Sequence, residues 1–141
     1  MTIDELADLR RTVRRLADRQ ELADLVARYG RYVDDRDLDA VAELYTADCT
    51  FDSRDGPMHG RDAVIDYYRA QLSSYTVTYH YPHSHTVDFV DDDSATGIVQ
   101  AHAELAIGGE AVIVALRYTD EYRREDGAWK VAHRHGSAPP E

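Results

Sequence analysis

Cysteine is nearly absent from this chain of 141 residues, because Cys49 is the only one. A single cysteine excludes an intrachain disulfide and a metal site built only of cysteines, and it suits a reducing compartment. No apolar run approaches the ~18 residues that a membrane helix requires. The first residues carry acids and arginines in place of the basic and apolar parts of an export signal. We therefore expect a cytoplasmic protein that has no membrane partner.

Positive charge is also scarce, with 16 Lys and Arg against 27 Asp and Glu and a net charge of −11. Such a chain repels phosphate backbones, so nucleic acid is not an expected partner. The glycines form no phosphate-binding motif, and no serine or cysteine lies in a nucleophile motif. The composition, 43% apolar and 30% charged, is that of a folded domain with one core.

The first half of the chain has helical periodicity. Apolar residues recur every three or four positions from Ile3 to about Tyr32, which predicts one long amphipathic helix or two joined near Asp18. Asp37 is a suitable N-cap for a second helix that runs through Tyr45. The other elements predicted here are a short strand at 50–52, a loop around Gly56, Pro57 and Gly60, and a helix over 61–72.

Beyond Ser74 the apolar period changes to two, which is typical of strands. Four strands are predicted, near 77–90, 95–107, 111–124 and 129–135, with turn residues between them. Helices followed by strands indicate an α+β domain in which an antiparallel sheet curls over the helices. We expect a single domain over residues 1–141, with a loose tail from about Ser137.

Histidines concentrate in this second half, and their pKa of about 6.5 allows proton exchange near neutrality. Two pairs, His83 with His85 and His133 with His135, have the spacing that places both rings on one face of a strand. A metal site needs a third ligand, and no familiar spacing supplies one. The simpler interpretation is that these histidines line a sheet edge, a subunit interface or solvent.

Asp34 is the acid of greatest interest, because it follows the long helix and precedes a charged turn. A carboxylate at such a helix end can project into the concavity of the sheet. From the pattern alone, an exposed or capping acid is the simpler interpretation.

Three stretches, 25–48, 80–89 and 118–130, resemble the SnoaL-like family of the nuclear transport factor two-like superfamily. Their order and spacing extend the similarity over almost the whole chain. The resemblance implies a cone-shaped α+β barrel whose N-terminal helices pack in the concavity of a curved, mostly antiparallel sheet.

Within this superfamily the sequence is similar to the scytalone dehydratase and lindane dehydrochlorinase families, which are cofactor-free lyases. The resemblance implies that Asp34 orients a histidine base at His80 and that Arg134 is a pocket arginine. It implies elimination, dehydration or isomerisation of a small apolar cyclic metabolite, beginning with abstraction of a proton from carbon. Neither a cofactor nor a metal ion is expected.

The sequence also departs from these families. Tyr29 stands where the dehydrochlorinase has a lysine, and Leu116 and Tyr118 stand where the dehydratase has a serine and an asparagine. The strand parity implied by the resemblance directs Ala101, Ala103, Leu116 and Tyr118 toward the pocket. Because of the replacements at Tyr29, Leu116 and Tyr118, we do not expect this chain to catalyse the exact reaction of either family.

Two other functions stay open at this stage. One is a non-catalytic domain that binds a small molecule, because fold alone does not determine function. The other is an activity like that of a polyketide cyclase or hydroxylase. In each case the resemblance implies a homodimer or higher homo-oligomer through the convex sheet face, where His102 would lie.

Overall fold

The computed structural model describes residues 1–138. Within them, the chain forms helices first and the main strands afterwards, in the order that the periodicity predicts. The elements are α1 Ile3–Asp34, α2 Leu38–Glu43, β1 Tyr45–Ser53, β2 Gly56–His59, α3 Arg61–Leu72, β3 Val77–Phe89, β4 Ser94–Ile107, β5 Glu110–Glu125 and β6 Ala128–Ser137.

The long first helix is continuous and does not break near Asp18. It begins with a capping box, in which the Thr2 hydroxyl accepts a hydrogen bond from the Glu5 backbone and the Glu5 carboxylate accepts one from the Thr2 backbone. Asp18 can lie in the helix interior because its carboxylate accepts hydrogen bonds from the Trp129 indole, at 3.1 Å, and from Arg124. A buried acid with two donors anchors the middle of α1 to the sheet.

The shorter elements of the first half differ from the prediction in their bounds. Asp37 caps α2 as predicted, with its carboxylate accepting from the Ala40 backbone at 3.2 Å. The helix ends at Glu43, and Tyr45 instead opens β1. The predicted loop at residues 56–60 contains β2, which pairs with β1 in antiparallel register. Short strands with Gly and Pro give weak periodicity, which explains the omission.

One sheet of six strands is formed within the described residues, in the order β2-β1-β6-β5-β4-β3. All neighbours are antiparallel except β1 and β6, which run parallel. The four predicted strands of the second half are confirmed to within about three residues at each end. A bulge between Pro82 and Ser84 in β3 shifts its register against β4.

The helices pack on the concave face of the sheet and close the hydrophobic core. Side chains of α1, α3 and the inward positions of the strands meet there, so the predicted α+β barrel is confirmed. The least exposed apolar residues of this core are Leu22, Val33, Val41, Tyr45, Val64, Val99, Tyr122 and Val131.

The end of the chain is partly described. Ser137 belongs to β6 and pairs with Arg117, while the last part of the predicted loose tail, residues 139–141, lies outside the described residues. Among residues 1–138, no helix combines the length and the apolar character needed to cross a bilayer.

Two strand glycines provide a test of the packing. A Cβ atom on Gly97 would lie 2.7 Å from Cε2 of Tyr122 and 3.0 Å from the Thr86 carbonyl oxygen, whereas one on Gly136 would meet nothing closer than 3.5 Å. We expect Gly97→Ala to lower the free energy of unfolding by about 1–3 kcal/mol in urea denaturation, because an overpacked core must shift. Gly136→Ala is the matched control and should cost much less. Equal losses would contradict this description of the Tyr122 contact.

Candidate active site

The end of α1 and the beginning of β3 meet at a histidine–carboxylate pair. His80 Nδ1 lies 2.6 Å from Asp34 Oδ1, and the His80 backbone N–H donates to Asp34 Oδ2 at 2.8 Å. Both side chains are largely buried, with 13% and 15% of their surfaces exposed. The carboxylate therefore fixes both the backbone and the ring of the same histidine.

This contact determines which ring nitrogen is available. A carboxylate only accepts hydrogen bonds, so Nδ1 of His80 carries the proton and donates it to Asp34. Nε2 then presents its lone pair, and no hydrogen bond to it occurs within residues 1–138. This is the arrangement that a histidine needs to act as a base.

Neighbouring residues hold Asp34 in position. Thr78 donates to Asp34 Oδ1 at 3.1 Å, and Arg36 donates to the Thr78 hydroxyl at 2.7 Å. Arg36 also donates to the carbonyls of Val33 and Tyr75, and so ties the end of α1 to the segment that leads into β3. The role of Arg36 was not predictable from the sequence, in which it belongs to the charged turn after Asp34.

Gly30 allows α1 to approach β3 at this point. A Cβ atom at Gly30 would lie 3.3 Å from Cβ of His80 and 3.6 Å from its carbonyl oxygen. The position is helical and needs no positive φ, so its glycine serves close packing instead of a turn. The helix can thereby come near enough for the Asp34 hydrogen bonds.

His80 lines a cavity of about 440 Å³ between α1, α3 and the sheet. Its inner wall is aromatic and aliphatic, whereas Arg54, Asp55 and Gln71 are exposed at its opening. The side chains on the inner wall are Tyr29, Val33, Phe51, Tyr67, Tyr68, Leu72, Ala103, Leu105, Val114, Leu116 and Tyr118.

The predicted pocket residues divide between the wall and the layer behind it. Tyr29, Leu116, Tyr118 and Ala103 line the cavity. Ala101 is buried and faces the same side, paired with Pro82 and Leu116, but the described lining does not include it. The bulge that follows Pro82 displaces β3 at this rung, which sequence parity could not reveal.

Arg134 lies behind the wall and is fully buried. Its Nε and Nη2 atoms both donate to the Asp120 carboxylate at 2.8 Å. Its guanidinium carbon lies 4.4 Å from the ring centroids of Tyr29 and Tyr118. Burial disfavours the charged form, but the adjacent Asp120 carboxylate and the surrounding polar groups together favour it more strongly, so the pKa of Arg134 is raised well above its ordinary value. Two tyrosine rings thus lie between the arginine and the cavity.

Tyrosine hydroxyl groups join in a chain beside this cation. Tyr29 donates to the Tyr68 hydroxyl at 3.0 Å, and the hydroxyls of Tyr68 and Tyr45 are 2.6 Å apart. Burial raises the pKa of Tyr68 and Tyr118 well above the ordinary phenol value. These phenols therefore remain protonated and available as hydrogen-bond donors at neutral pH.

A second histidine belongs to the buried network. Tyr122 donates its only hydroxyl hydrogen to Asp120 at 2.8 Å, so His85 Nε2, 3.0 Å away, must donate to the Tyr122 oxygen. Burial lowers the pKa of His85. His85, Tyr122 and Asp120 form a hydrogen-bonded chain that ends on Arg134. Little in the sequence indicated this chain, because side chains of β3 and β5 reach each other across β4 only in the folded sheet.

The other predicted histidines lie outside the cavity. His83 Nε2 is 2.5 Å from His102 Nδ1 on the convex face, where Tyr81 stacks on His102. His133 contacts the Thr50 hydroxyl, and His135 is exposed. Across residues 1–138, no three His, Cys, Asp or Glu side chains are placed together to hold a metal ion.

The lowered pKa of His85 predicts a dependence of stability on pH. The unfolded chain binds a proton on this histidine near pH 6.5, whereas the native state resists it, so stability is lost as the pH falls from about 6.5 to the lower native value. In denaturation at a series of pH values, His85→Gln should reduce that slope by up to ~1.4 kcal/mol per pH unit.

The matched substitution is His59→Gln, which removes an exposed imidazole outside the hydrogen-bonded chain. Glutamine at position 85 can still donate to Tyr122 but does not titrate. A change in the slope therefore reports the lost protonation of His85 and not the loss of its hydrogen bond. An unchanged slope in His85→Gln would mean that burial of His85 contributes nothing to acid sensitivity.

Comparison with known proteins matches residues 14–135 to the SnoaL-like domain. Hexachlorocyclohexane dehydrochlorinase 1 of Sphingobium indicum is 30% identical over 126 residues, which is 86% of this chain and 82% of that protein. A crystal structure of a type 2 hexachlorocyclohexane dehydrochlorinase has a TM-score of 0.84 and 27% identity, and covers 91% of this chain and 89% of that one.

A structure from Novosphingobium aromaticivorans, a candidate scytalone dehydratase, has a TM-score of 0.82. It is 22% identical and covers 90% of this chain and 87% of that chain, which shows a shared fold. The domain match covers most of the chain and includes Asp34, His80 and Arg134. The chain therefore belongs to the SnoaL-like family.

Proposed function

We propose that this protein is a cofactor-independent lyase or isomerase whose reaction begins when His80 removes a proton from carbon. One observation carries the proposal: Asp34 holds Nδ1 of His80 at 2.6 Å, and the ring lines a cavity whose wall is mostly aromatic and aliphatic. An imidazole held this way has a fixed tautomer, and its charged form is stabilised by the adjacent carboxylate.

The proposed first step moves one proton and one electron pair. The C–H bond breaks, the proton goes to His80 Nε2, and the imidazolium is held by Asp34. In an elimination, the electron pair forms a carbon–carbon double bond as the leaving group departs with its own bonding pair. In an isomerisation, the pair delocalises onto a neighbouring carbonyl oxygen, and the proton returns at another carbon.

Tyrosine hydroxyls are placed to meet the negative charge that develops on the other side of the substrate. The Tyr29 ring lies 6.3 Å from the His80 ring, and its hydroxyl is bonded to that of Tyr68. Arg134, behind the rings, supplies a fixed positive charge in a dry environment, where electrostatic stabilisation is strong. We assign Arg134 the predicted electrostatic role, acting through these phenols instead of by direct contact.

The cavity favours a small, apolar and cyclic substrate. Its volume of about 440 Å³ suits a compound of one or two rings, and most of its lining is apolar or aromatic, with Ser53, Thr78 and Ser137 as further polar residues beside the phenols and His80. The polar opening at Arg54, Asp55 and Gln71 would face any hydrophilic substituent.

The dehydrochlorinase relatives support an elimination, because their names state that they remove hydrogen chloride from hexachlorocyclohexane. Tyr29 replaces the lysine expected from the resemblance, so a phenol would assist the leaving group here once its hydroxyl hydrogen turns from Tyr68 toward the substrate. A phenol donates a proton readily to a departing hydroxide or to an enolate oxygen. We therefore favour an oxygenated substrate over a chlorinated one.

The base can be tested by His80→Ala and Asp34→Asn. Removal of a general base typically costs 10²–10⁴-fold in rate, so each variant should lose turnover by at least ~10²-fold while its melting curve stays cooperative. Suitable probes are hexachlorocyclohexane, followed by chloride release, and cyclic β-hydroxy ketones, followed by enone absorbance. Exchange of substrate C–H for deuterium in D₂O reports the first step by NMR.

Ligand titration of the same variants separates catalysis from binding. A probe that binds wild type and both variants equally, with no exchange in any of them, would favour a non-catalytic binding domain. Wild-type turnover in both variants would remove the pair from the mechanism. The control is His133→Ala, which removes a histidine that bonds Thr50 outside the cavity.

The phenol can be tested by Tyr29→Phe, which keeps the ring over Arg134 but removes the hydroxyl. Loss of one oxyanion donor should lower kcat by about 10²-fold with little change in KM. Tyr67→Phe is the matched control, because its ring lines the same cavity and its hydroxyl bonds Asp55 at the opening. A loss in Tyr67→Phe as large as that in Tyr29→Phe would contradict a specific role for Tyr29.

A further inference from the structure

Three buried phenols meet at one hydroxyl group, that of Tyr68. Tyr29, on α1, donates to the Tyr68 oxygen at 3.0 Å, and the Tyr45 oxygen, at the start of β1, lies 2.6 Å from it. Each phenol has a single hydrogen to donate, although its oxygen can accept as well. The direction of the hydrogen bond between Tyr45 and Tyr68 therefore decides which phenol has a hydrogen left over.

Burial decides this direction. Tyr45 is fully buried, and within residues 1–138 its hydroxyl has no hydrogen-bond partner other than Tyr68. If Tyr68 donated to Tyr45, the Tyr45 hydrogen would remain in the core without an acceptor, which is costly. If Tyr45 donates to Tyr68, the only hydrogen left over among the three phenols is that of Tyr68. Tyr45 is therefore the donor.

The remaining hydrogen of Tyr68 is available to the cavity. Tyr68 lies on α3 and lines the cavity wall, whereas Tyr45 is absent from the described lining. The Tyr68 oxygen accepts from both Tyr29 and Tyr45, and no acceptor for its own hydrogen occurs in the part of the chain that the structure describes. A ligand or a water molecule in the cavity is the acceptor that remains.

Two accepted hydrogen bonds make this phenol a better donor. A hydroxyl that accepts hydrogen bonds is polarised by them, so the hydrogen bond that it donates is strengthened. Burial raises the pKa of Tyr68, and the charge of Arg134 offsets part of that rise, so the phenol keeps its hydrogen at neutral pH. The Tyr29 ring lies 5.9 Å from the Tyr68 ring and 6.3 Å from the His80 ring, which places the donor and the base around one cavity.

We propose that Tyr68 donates this hydrogen bond to the substrate oxygen on which negative charge develops, and that Tyr29 and Tyr45 are positioning residues that direct it. The assignment rests on the proposed reaction and names its ligand class, a cyclic compound that acquires an enolate or phenolate oxygen. Tyr68 can serve this oxygen without rearrangement, whereas Tyr29 must first turn its hydrogen away from Tyr68.

Binding of 4-nitrophenolate tests the donor without requiring turnover. The probe is a single ring with a charged oxygen, its absorbance reports binding, and nitrobenzene is the matched ligand without that oxygen. Hydrogen bonds to charged groups are among the stronger ones, so Tyr68→Phe should weaken 4-nitrophenolate binding about 10- to 100-fold and leave nitrobenzene binding unchanged. Equal affinity of wild type and Tyr68→Phe for 4-nitrophenolate would overturn the proposal.

Tyr45→Phe tests the direction of the bond, and it leaves no buried phenol hydrogen without an acceptor. Loss of one of the two donors to Tyr68 should weaken 4-nitrophenolate binding about two- to five-fold. The opposite direction predicts the opposite change, because removal of the Tyr45 hydroxyl would then release the Tyr68 hydrogen into the cavity. Unchanged or tighter binding in Tyr45→Phe would therefore overturn the proposal.

Tyr32→Phe is the control, because it removes a phenol hydroxyl from a ring that lies under Arg31, outside the described lining of the cavity. It should bind both probes as wild type does, and a loss equal to that of Tyr68→Phe would overturn the assignment. Neither probe reacts, so the outcome is independent of proton abstraction by His80. If deuterium exchange is absent but Tyr68→Phe still weakens 4-nitrophenolate binding, the assignment of Tyr68 stands and the proposed reaction fails.

Discussion

The contact between Asp34 and His80 is the interaction on which the geometry of this site depends. One carboxylate accepts from the ring and from the backbone of the same residue, so a single group sets both the strand position and the imidazole orientation. Gly30 permits the helix to come close enough, and Arg36 with Thr78 holds the acid from the other side. A side chain fixed at so many points has little freedom to lose when a substrate binds.

A second fixed pair, Arg134 with Asp120, is buried behind the tyrosine rings of the cavity. Removing Arg134 and Asp120 from water is costly, and two hydrogen bonds at 2.8 Å offset much of that cost. The Nη1 atom of Arg134 has no hydrogen-bond partner within the described residues, and the aromatic faces of Tyr29 and Tyr118 lie against the guanidinium in its place. An apolar pair would pack there at lower cost. In the proposed mechanism, this charge pair supplies the field that stabilises negative charge on the substrate.

The sequence was sufficient to predict most of the fold, because its periodicity changes once, near Ser74, and that change separates the helices from the main strands. Asp34 and His80 were identified only through the family resemblance, since an acid at a helix end is usually exposed. The contacts of Asp120 and Tyr122 could not be predicted, because their partners, Arg134 and His85, lie on other strands. The register of those strands is fixed by a bulge and by long-range pairing. Local patterns carry no information about such contacts.

In the proposed mechanism, the difference between His80 and Arg134 would give the reaction a direction. His80 keeps part of its surface exposed, whereas Arg134 is fully buried behind aromatic rings. A proton received by His80 can return to solvent, while the positive charge of Arg134 is permanent because Asp120 keeps it ionised. Negative charge that develops on a bound substrate would therefore be drawn toward Arg134, and protons would leave through His80. The rings of Tyr29 and Tyr118 keep water away from the guanidinium of Arg134, so its electric field is screened less than it would be in water.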